Sequence, residues 1–175
     1  MDTPVNVLVV FYSRYGETER LALAAGLGAI QEEANIRLRR LADRADAATI
    51  AGDAAWASSL ARMQRDYVTP RPADPVWADL IILATPGGSD GEVEGYAASL
   101  PECGPMAGKV AAPLAARNDA RTLRRVYASS ACAGLFVVPS AIDDGDAIAG
   151  ARLHGRALVR AVKALRVLKA TPSPA

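Results

Sequence analysis

VNVLVVFY, Val5 to Tyr12, and the turn that follows it, Ser13-Arg14-Tyr15-Gly16-Glu17-Thr18-Glu19, decide the fold. The first stretch is a near-continuous run of β-branched and aromatic residues, which suits a strand buried on both faces. The second leads into a helix from about Glu17 to Ala34, with Leu21, Ala24, Ala25 and Gly28 at helical spacing.

Outward from that unit the same alternation repeats. Asn35 to Leu41 alternates polar and apolar residues, as an edge strand with one wet face does. Ile50 to Met63 is predicted helical, and Thr69 to Pro75 (TPRPADP) reads as an extended, proline-stiffened connection. Asp79 to Thr85 (DLIILAT) is a second central strand, and it runs into the glycine-rich loop Pro86-Gly87-Gly88-Ser89-Asp90-Gly91. A short helix over Val93 to Leu100 precedes a fourth strand, Lys109 to Ala115. A helix over Asp119 to Ala133 precedes a fifth strand, Gly134 to Pro139. After a polar turn over Asp143 to Gly150, a long amphipathic helix runs from Gly150 to Lys169. Its expected inward residues are Leu153, Ala157, Leu158, Ala161, Val162, Leu165 and Leu168. Five strands alternating with helices imply an α/β fold with a parallel sheet covered on both sides, and 2-1-3-4-5 is the natural strand order. In such sheets a ligand lies at the carboxyl ends of the strands where the order reverses. Here the loops Ser13 to Thr18 and Pro86 to Gly91 occupy that place.

Composition narrows the function. The chain has 175 residues, 51% hydrophobic and 22% charged, which is ordinary for a globular protein. A formal net charge of +1 gives no electrostatic case for nucleic acid or a membrane surface. No apolar run approaches the roughly 20 residues that span a bilayer. The N-terminus has no basic leader pattern, so the expected location is cytoplasmic. One domain over 1–169 and a tail over 170–175 are expected. Cys103 and Cys132 are too few for a disulfide framework and lack metal-ligand spacing, and His154 is the only histidine. No metal site is expected. The high alanine and arginine content is a compositional habit, so single arginines carry little weight.

The chemistry concentrates in Ser13 to Thr18. The spacing S-x-x-G-x-T puts two hydroxyls and several backbone N–H groups at a helix N-terminus, where the dipole favours an anion. Gly16 permits a close backbone approach. Helix capping by Ser13 and Thr18 is the bland alternative; the whole loop on the first strand favours phosphate.

VLVVFYSRYGETERLA resembles the phosphate loop of flavodoxin-like proteins. It is closer still to NAD(P)H:quinone oxidoreductases of the Trp-repressor-binding-protein (WrbA) type, whose first strand ends in a tyrosine-serine pair followed by x-Y-G. WADLIILATP, GLFVVP and the A-R-x-x-G spacing of Ala151, Arg152 and Gly155 are similar to further parts of that family. The resemblance implies a flavodoxin-like three-layer sandwich and non-covalent FMN. Its phosphate would lie on Ser13, Arg14, Tyr15, Gly16, Glu17 and Thr18. Its ring would lie against Pro86, Gly87, Gly88, Ser89, Asp90 and Gly91, with Ala116, Arg117 and Asn118 on the other side. It also implies NAD(P)H as donor, a quinone as two-electron acceptor, no catalytic side chain, and a homodimer or homotetramer.

The chain departs from that family at several points. Glu17 stands where a neutral residue or histidine is usual, and Gly87-Gly88-Ser89 where an arginine and an aromatic follow the T-P pair. Ala115 to Asp119 replaces a glycine-rich T-G-T-G-G-G stretch, and Ser140 to Gly150 replaces a longer segment. A redox-inactive binding module with a degenerate flavin site is therefore the rival reading. A receiver domain is excluded, because Phe11-Tyr12 and Ala84-Thr85 stand where its aspartates would be. Arg152, Arg156, Arg160, Lys163 and Arg166 read as a solvated helix face, and Asp143, Asp144 and Asp146 as a polar turn. Cys132 reads as a buried small residue, His154 as a surface or boundary residue, and Trp56 and Trp77 as packing. Tyr12, Tyr15 and Tyr96 are possible stacking partners for a ring.

Overall fold

The structure is a computed structural model, and it describes residues 3–88, 91–116, 119–140 and 146–170. Five strands form one parallel sheet: β1 (Asn6–Phe11), β2 (Asn35–Arg40), β3 (Leu80–Thr85), β4 (Val110–Ala115) and β5 (Phe136–Val137). Their order is β2-β1-β3-β4-β5, as the sequence predicts. The helices are α1 (Glu17–Ile30), α2 (Ala47–Ala51), α3 (Ala54–Asp66), α4 (Ala73–Trp77), α5 (Glu92–Cys103), α6 (Ala120–Cys132) and α7 (Ala147–Ala170).

Strand alternation divides the core in two. Val7, Val9 and Phe11 of β1 pack with Leu21 and Ala25 of α1 and with Leu158 and Val162 of α7. Leu8, Val10 and Tyr12 face the other way, toward Val93 and Ala97 of α5 and Val126 of α6. Because both faces of β1 are covered, its residues from Val7 to Phe11 are all apolar and buried, and the result is a three-layer sandwich.

Several elements differ from expectation. The last helix is rotated from the expected face: Leu158 and Val162 are buried as expected, together with Ala151, His154, Gly155 and Val159, whereas Leu153, Ala157, Ala161, Leu165 and Leu168 are exposed. The reason is a close crossing with α1. A Cβ on Gly155 would lie 2.1 Å from the Ala25 carbonyl oxygen, and one on Gly28 would lie 2.0 Å from that of Arg152. Only glycines fit there, so backbone contact rather than leucine content fixes the rotation of α7. His154 is therefore buried, at 7% exposure, rather than at the surface.

The basic row of α7 is not simply solvated. Arg156 and Arg160 both pair with Glu32, Arg152 bonds Gln31, and Lys163 donates to the Glu32 carbonyl. Arg166 reaches Asp79 and the Thr3 carbonyl. These contacts tie α7 to the end of α1 and to the amino-terminal edge of the sheet.

Helix α1 stops at Ile30, short of Ala34. The single helix expected over Ile50 to Met63 is two, with Asp53 starting α3 by accepting from the Trp56 N–H at 3.0 Å. The stretch expected to be extended over Thr69 to Pro75 contains the start of α4. Pro72 and Pro75 fall at its cap and first turn, where no N–H is required. Buried Asp74 locks α4 against β2 through Arg37 and Arg39. The fifth strand is only two residues long. In β4 the N–H of Val110 and the carbonyl of Ala111 point to opposite neighbours, β3 and β5. Residue 113 would give its N–H to the β5 side, and it is a proline, so the ladder ends after Val138. Cys132, expected to be buried, is exposed. Asp146 caps α7 by accepting from Ile148 and Ala149, while Asp143 and Asp144 lie outside the described residues.

Candidate functional site

Strands β1 and β3 end side by side, with Phe11 in register with Ala84 and the Tyr12 N–H bonded to the Ala84 carbonyl. Their connections therefore leave from the same point. They enclose a pocket of about 150 Å³ lined by Ser13, Arg14, Tyr15, Glu17 and Thr18 on one side and Pro86, Gly87 and Gly88 on the other. Ser89, Asp90, Arg117 and Asn118 lie outside the described residues; Gly91 begins α5 with φ 88°, and Ala116 donates to the Thr85 carbonyl. Ala116 does not line this pocket; it borders a neighbouring hollow shared with Glu17 and Arg20.

The loop after β1 is tightly determined. Gly16 takes a φ of 97°, which favours glycine, and its N–H donates to Ser13 Oγ at 3.0 Å. Thus Ser13 closes the turn, and no side chain among the described residues caps α1. The capping alternative fails at Thr18 too. Its side chain is fully buried, and Oγ1 has no hydrogen-bond partner among the described residues. A buried hydroxyl without a partner is rare and costs about 1–3 kcal/mol. It sits beside the first-turn N–H groups of α1, which have no intrahelical acceptor.

A supporting shell surrounds the loop, and the sequence reading missed it. Buried Arg40 donates from Nη2 to the Ser13 carbonyl at 3.3 Å and to Asp43 at 2.7 Å. Asp43 also accepts from the Tyr12 hydroxyl at 3.1 Å and from Trp56 Nε1 at 3.0 Å. Arg14 lies over the Trp56 ring, 4.6 Å from its centre, and donates to the Tyr12 hydroxyl. Trp56 is thus both packing residue and donor. Tyr15 is exposed and gives its hydroxyl to Asp53 at 2.7 Å. Glu19 points back into the protein, and the Arg62 guanidinium beside it holds its carboxyl below the usual carboxylate range. Tyr67 donates to the same carboxylate. Only Glu17 of the loop's two acids is exposed at the rim. The signal for this shell was present in the Asp-rich stretch before α3, but no spacing rule links it to a loop 30 residues earlier.

Of the three tyrosines considered for stacking, Tyr12 and Tyr96 are shielded within the protein; Tyr15 alone stands exposed at this pocket. Across the pocket, the Gly88 N–H donates to Asp119 at 2.8 Å, which joins the connections after β3 and β4. Among the described residues no cluster of histidine, cysteine and acidic side chains could hold a metal ion, and no helix is long and apolar enough to cross a membrane.

No family model matches the chain. It is 25% identical over 155 residues to a protein of Deinococcus radiodurans named NAD(P)H dehydrogenase (quinone), which covers 82% of this chain and 77% of that one. Among solved structures it resembles the two-electron reduced flavodoxin of Megasphaera elsdenii, with a TM-score of 0.61, 18% identity, and 88% and 98% of the two chains covered. A flavodoxin from the domain Archaea matches with a TM-score of 0.60, 15% identity, and 91% and 99% coverage. The chain has the flavodoxin-like fold.

Proposed function

We propose that this chain is an FMN-binding oxidoreductase that takes reducing equivalents from NAD(P)H and delivers them in pairs to a quinone. The observation that carries the reading is the buried, unpartnered Thr18 hydroxyl at the first turn of α1, in a pocket walled by both switch-point loops. A phosphate oxygen supplies the acceptor that this hydroxyl lacks, and the helix N-terminus favours its charge. The relative named NAD(P)H dehydrogenase (quinone) supports the reaction class.

A pocket of about 150 Å³ is smaller than the roughly 300–1,000 Å³ of whole-ligand sites, so it fits the phosphate end rather than the ring. Thr18, the Ser13 to Gly16 turn and the first-turn N–H groups would hold that end. The connections after β3 and β4 would border the ring, with exposed Tyr15 at their margin. When bound, FMN supplies the redox chemistry, accepting a hydride and passing two electrons on. The chain's own share is binding and orientation, and no side chain at the site needs to exchange a proton.

A second reading keeps the phosphate site without redox work: an anion-binding module of the same fold. It is favoured by Gly88, whose N–H is already taken by Asp119 and so is closed to a ring. Visible absorption of the purified protein, followed by FMN titration, tests the first reading. The expected result is a flavin band or saturable fluorescence quenching, with Thr18→Ala weakening binding about tenfold, the worth of one good hydrogen bond to a charged group. NAD(P)H should then bleach the band and benzoquinone restore it. A colourless protein that quenches nothing overturns flavin binding. A bound flavin that NAD(P)H leaves oxidised selects the anion-binding module.

A further inference from the structure

Helix α1 has no polar face over most of its length, because every residue between Arg20 and Gln31 is apolar or glycine. Its inward side packs on the sheet and on α7 through Leu21, Ala25 and Gly28. Its outward side carries Leu23, Leu27 and Ile30, which are 44%, 46% and 53% exposed. The outer face of a surface helix is ordinarily polar, and a helix that is apolar all round is one covered on every side. Helix α7 covers the same face of the sheet, and its exposed Leu153, Ala157 and Ala161 extend the apolar surface. The charges between the two helices are balanced within the chain: Arg152 bonds Gln31, and Arg156 and Arg160 pair with Glu32.

The ends of the α1 stripe define what covers it. Arg20 borders it on one side and Glu33, just past the helix, on the other. Both are exposed, and neither side chain has a partner among the described residues. Leu27 lies nearly midway between them, with Leu23 and Ile30 at nearly equal distances on either side. Laid antiparallel on a copy of itself, the stripe therefore meets its own complement: Leu27 on Leu27, Leu23 on Ile30, and Arg20 on Glu33. At 1.5 Å per residue the pairing spans roughly 20 Å. A two-fold axis makes each of these contacts twice, as in most symmetric dimers. A stable interface buries roughly 800 Å² on each partner, more than three side chains supply, so the outer face of α7 belongs to it.

We propose that this face docks a second copy of the chain, with the two α1 helices antiparallel across a two-fold axis beside Leu27. The contact uses the outer side of α1 and is independent of flavin binding and of any electron transfer.

Analytical ultracentrifugation of the full chain across micromolar concentrations tests this, and the expected mass is twice that of one chain. Leu27→Lys sets two like charges face to face on the axis and is expected to weaken the dimer at least about a hundredfold. Arg20→Glu and Glu33→Arg each place like charges at both ends of the pairing, and each is expected to weaken the dimer several-fold at low salt. The two changes together restore opposite charges, so the double variant is expected to regain the lost affinity. That rescue reads the antiparallel register, which a merely sticky surface would not show. All four positions probed or paired are exposed, and circular dichroism reports whether each variant is folded; if Leu27→Lys unfolds, the charge exchange still decides. A chain that stays monomeric, a dimer that survives Leu27→Lys, or a double variant no tighter than either single one overturns the proposal.

Discussion

Two aspartates organise the two sides of the switch point, and they do it differently. Asp43 is buried and gathers donors from three segments: Tyr12 at the end of β1, Arg40 at the end of β2 and Trp56 in α3. Asp119 is partly exposed and binds mainly its own helix start, the hydroxyl and N–H of Thr122 and the N–H of Arg121, besides Gly88. The Thr122 hydroxyl, with those N–H groups, holds the Asp119 carboxyl down to about 2. Around Gly88 a Cβ would meet nothing within 4 Å, whereas at Gly16 it would meet the Glu19–Arg62 pair. The loop after β1, the proposed phosphate side, is thus held in place before any ligand arrives, whereas the loop after β3 is held among the described residues by the Thr85 hydroxyl on the Pro86 carbonyl and by the Gly88 N–H on Asp119. On the proposed reading, preorganisation is concentrated where the phosphate charge would be recognised.

The largest effect expected is from Asp43→Ala. It strands a buried arginine and two buried donors, and breaking a buried pair in this way costs about 3–5 kcal/mol. Urea unfolding should show that loss, and FMN affinity should fall with it because Arg40 no longer holds the Ser13 carbonyl in place. A midpoint within error of the parent would mean that the Asp43 cluster does not organise this side.

Next in size is Gly155→Ala. Its Cβ would lie 2.1 Å from a backbone oxygen of α1, which has no rotamer to move. Helices α1 and α7 must separate, at a cost of about 1–3 kcal/mol. Because α1 carries Thr18, the proposed FMN binding should weaken as well. Unchanged thermal unfolding would show that the helices slide apart freely.

Asp119→Ala should do less. It removes the cap of α6, worth about 0.5–2 kcal/mol, and releases the Gly88 N–H. Phosphate-side affinity should hold within a few-fold, while the visible spectrum of bound flavin shifts. Equal losses from Asp43→Ala and Asp119→Ala in FMN titrations would erase the contrast between the two sides.

The parts legible in the sequence are those set by periodicity. The strand order and the location of the switch-point loops follow from apolar runs such as Val5 to Tyr12 and from the turns between them. The face of α7 was not legible, since counting leucines favours Leu153 and Leu168, while the packed crossing is made by Gly28 and Gly155. A glycine in a helix reads as weakness in one dimension and as contact only in three. The shell behind the loop after β1 was hidden for a related reason. Arg40, Asp43, Trp56 and Arg62 join Ser13 to Glu19 across 25 to 50 positions, with no spacing rule to announce them. Pro113 was legible in principle, yet its effect on β5 depends on which side of β4 its missing N–H faces.

The smallest effect is acid sensitivity at His154, on the inward face of α7 beside Gly155. Its side chain is buried, Nε2 has no partner among the described residues, and burial lowers its pKa below 6.5. The folded state therefore keeps the ring neutral at pH values where the unfolded chain takes up a proton. Unfolding is then coupled to proton binding, so stability is full above the unfolded value and falls as pH drops through 6.5 toward the lower folded value. Glu19 also loses stability in acid, but only as pH falls below the ordinary carboxyl value of 4.5, through its own lowered pKa. A window from about pH 7.5 to about pH 5 thus isolates the histidine. Urea midpoints should decline across it in the parent and stay flatter in His154→Gln. Equal slopes in the two proteins would mean that the α1–α7 seam admits a charged imidazole. The phosphate side would then be looser at its foundation than its loop suggests.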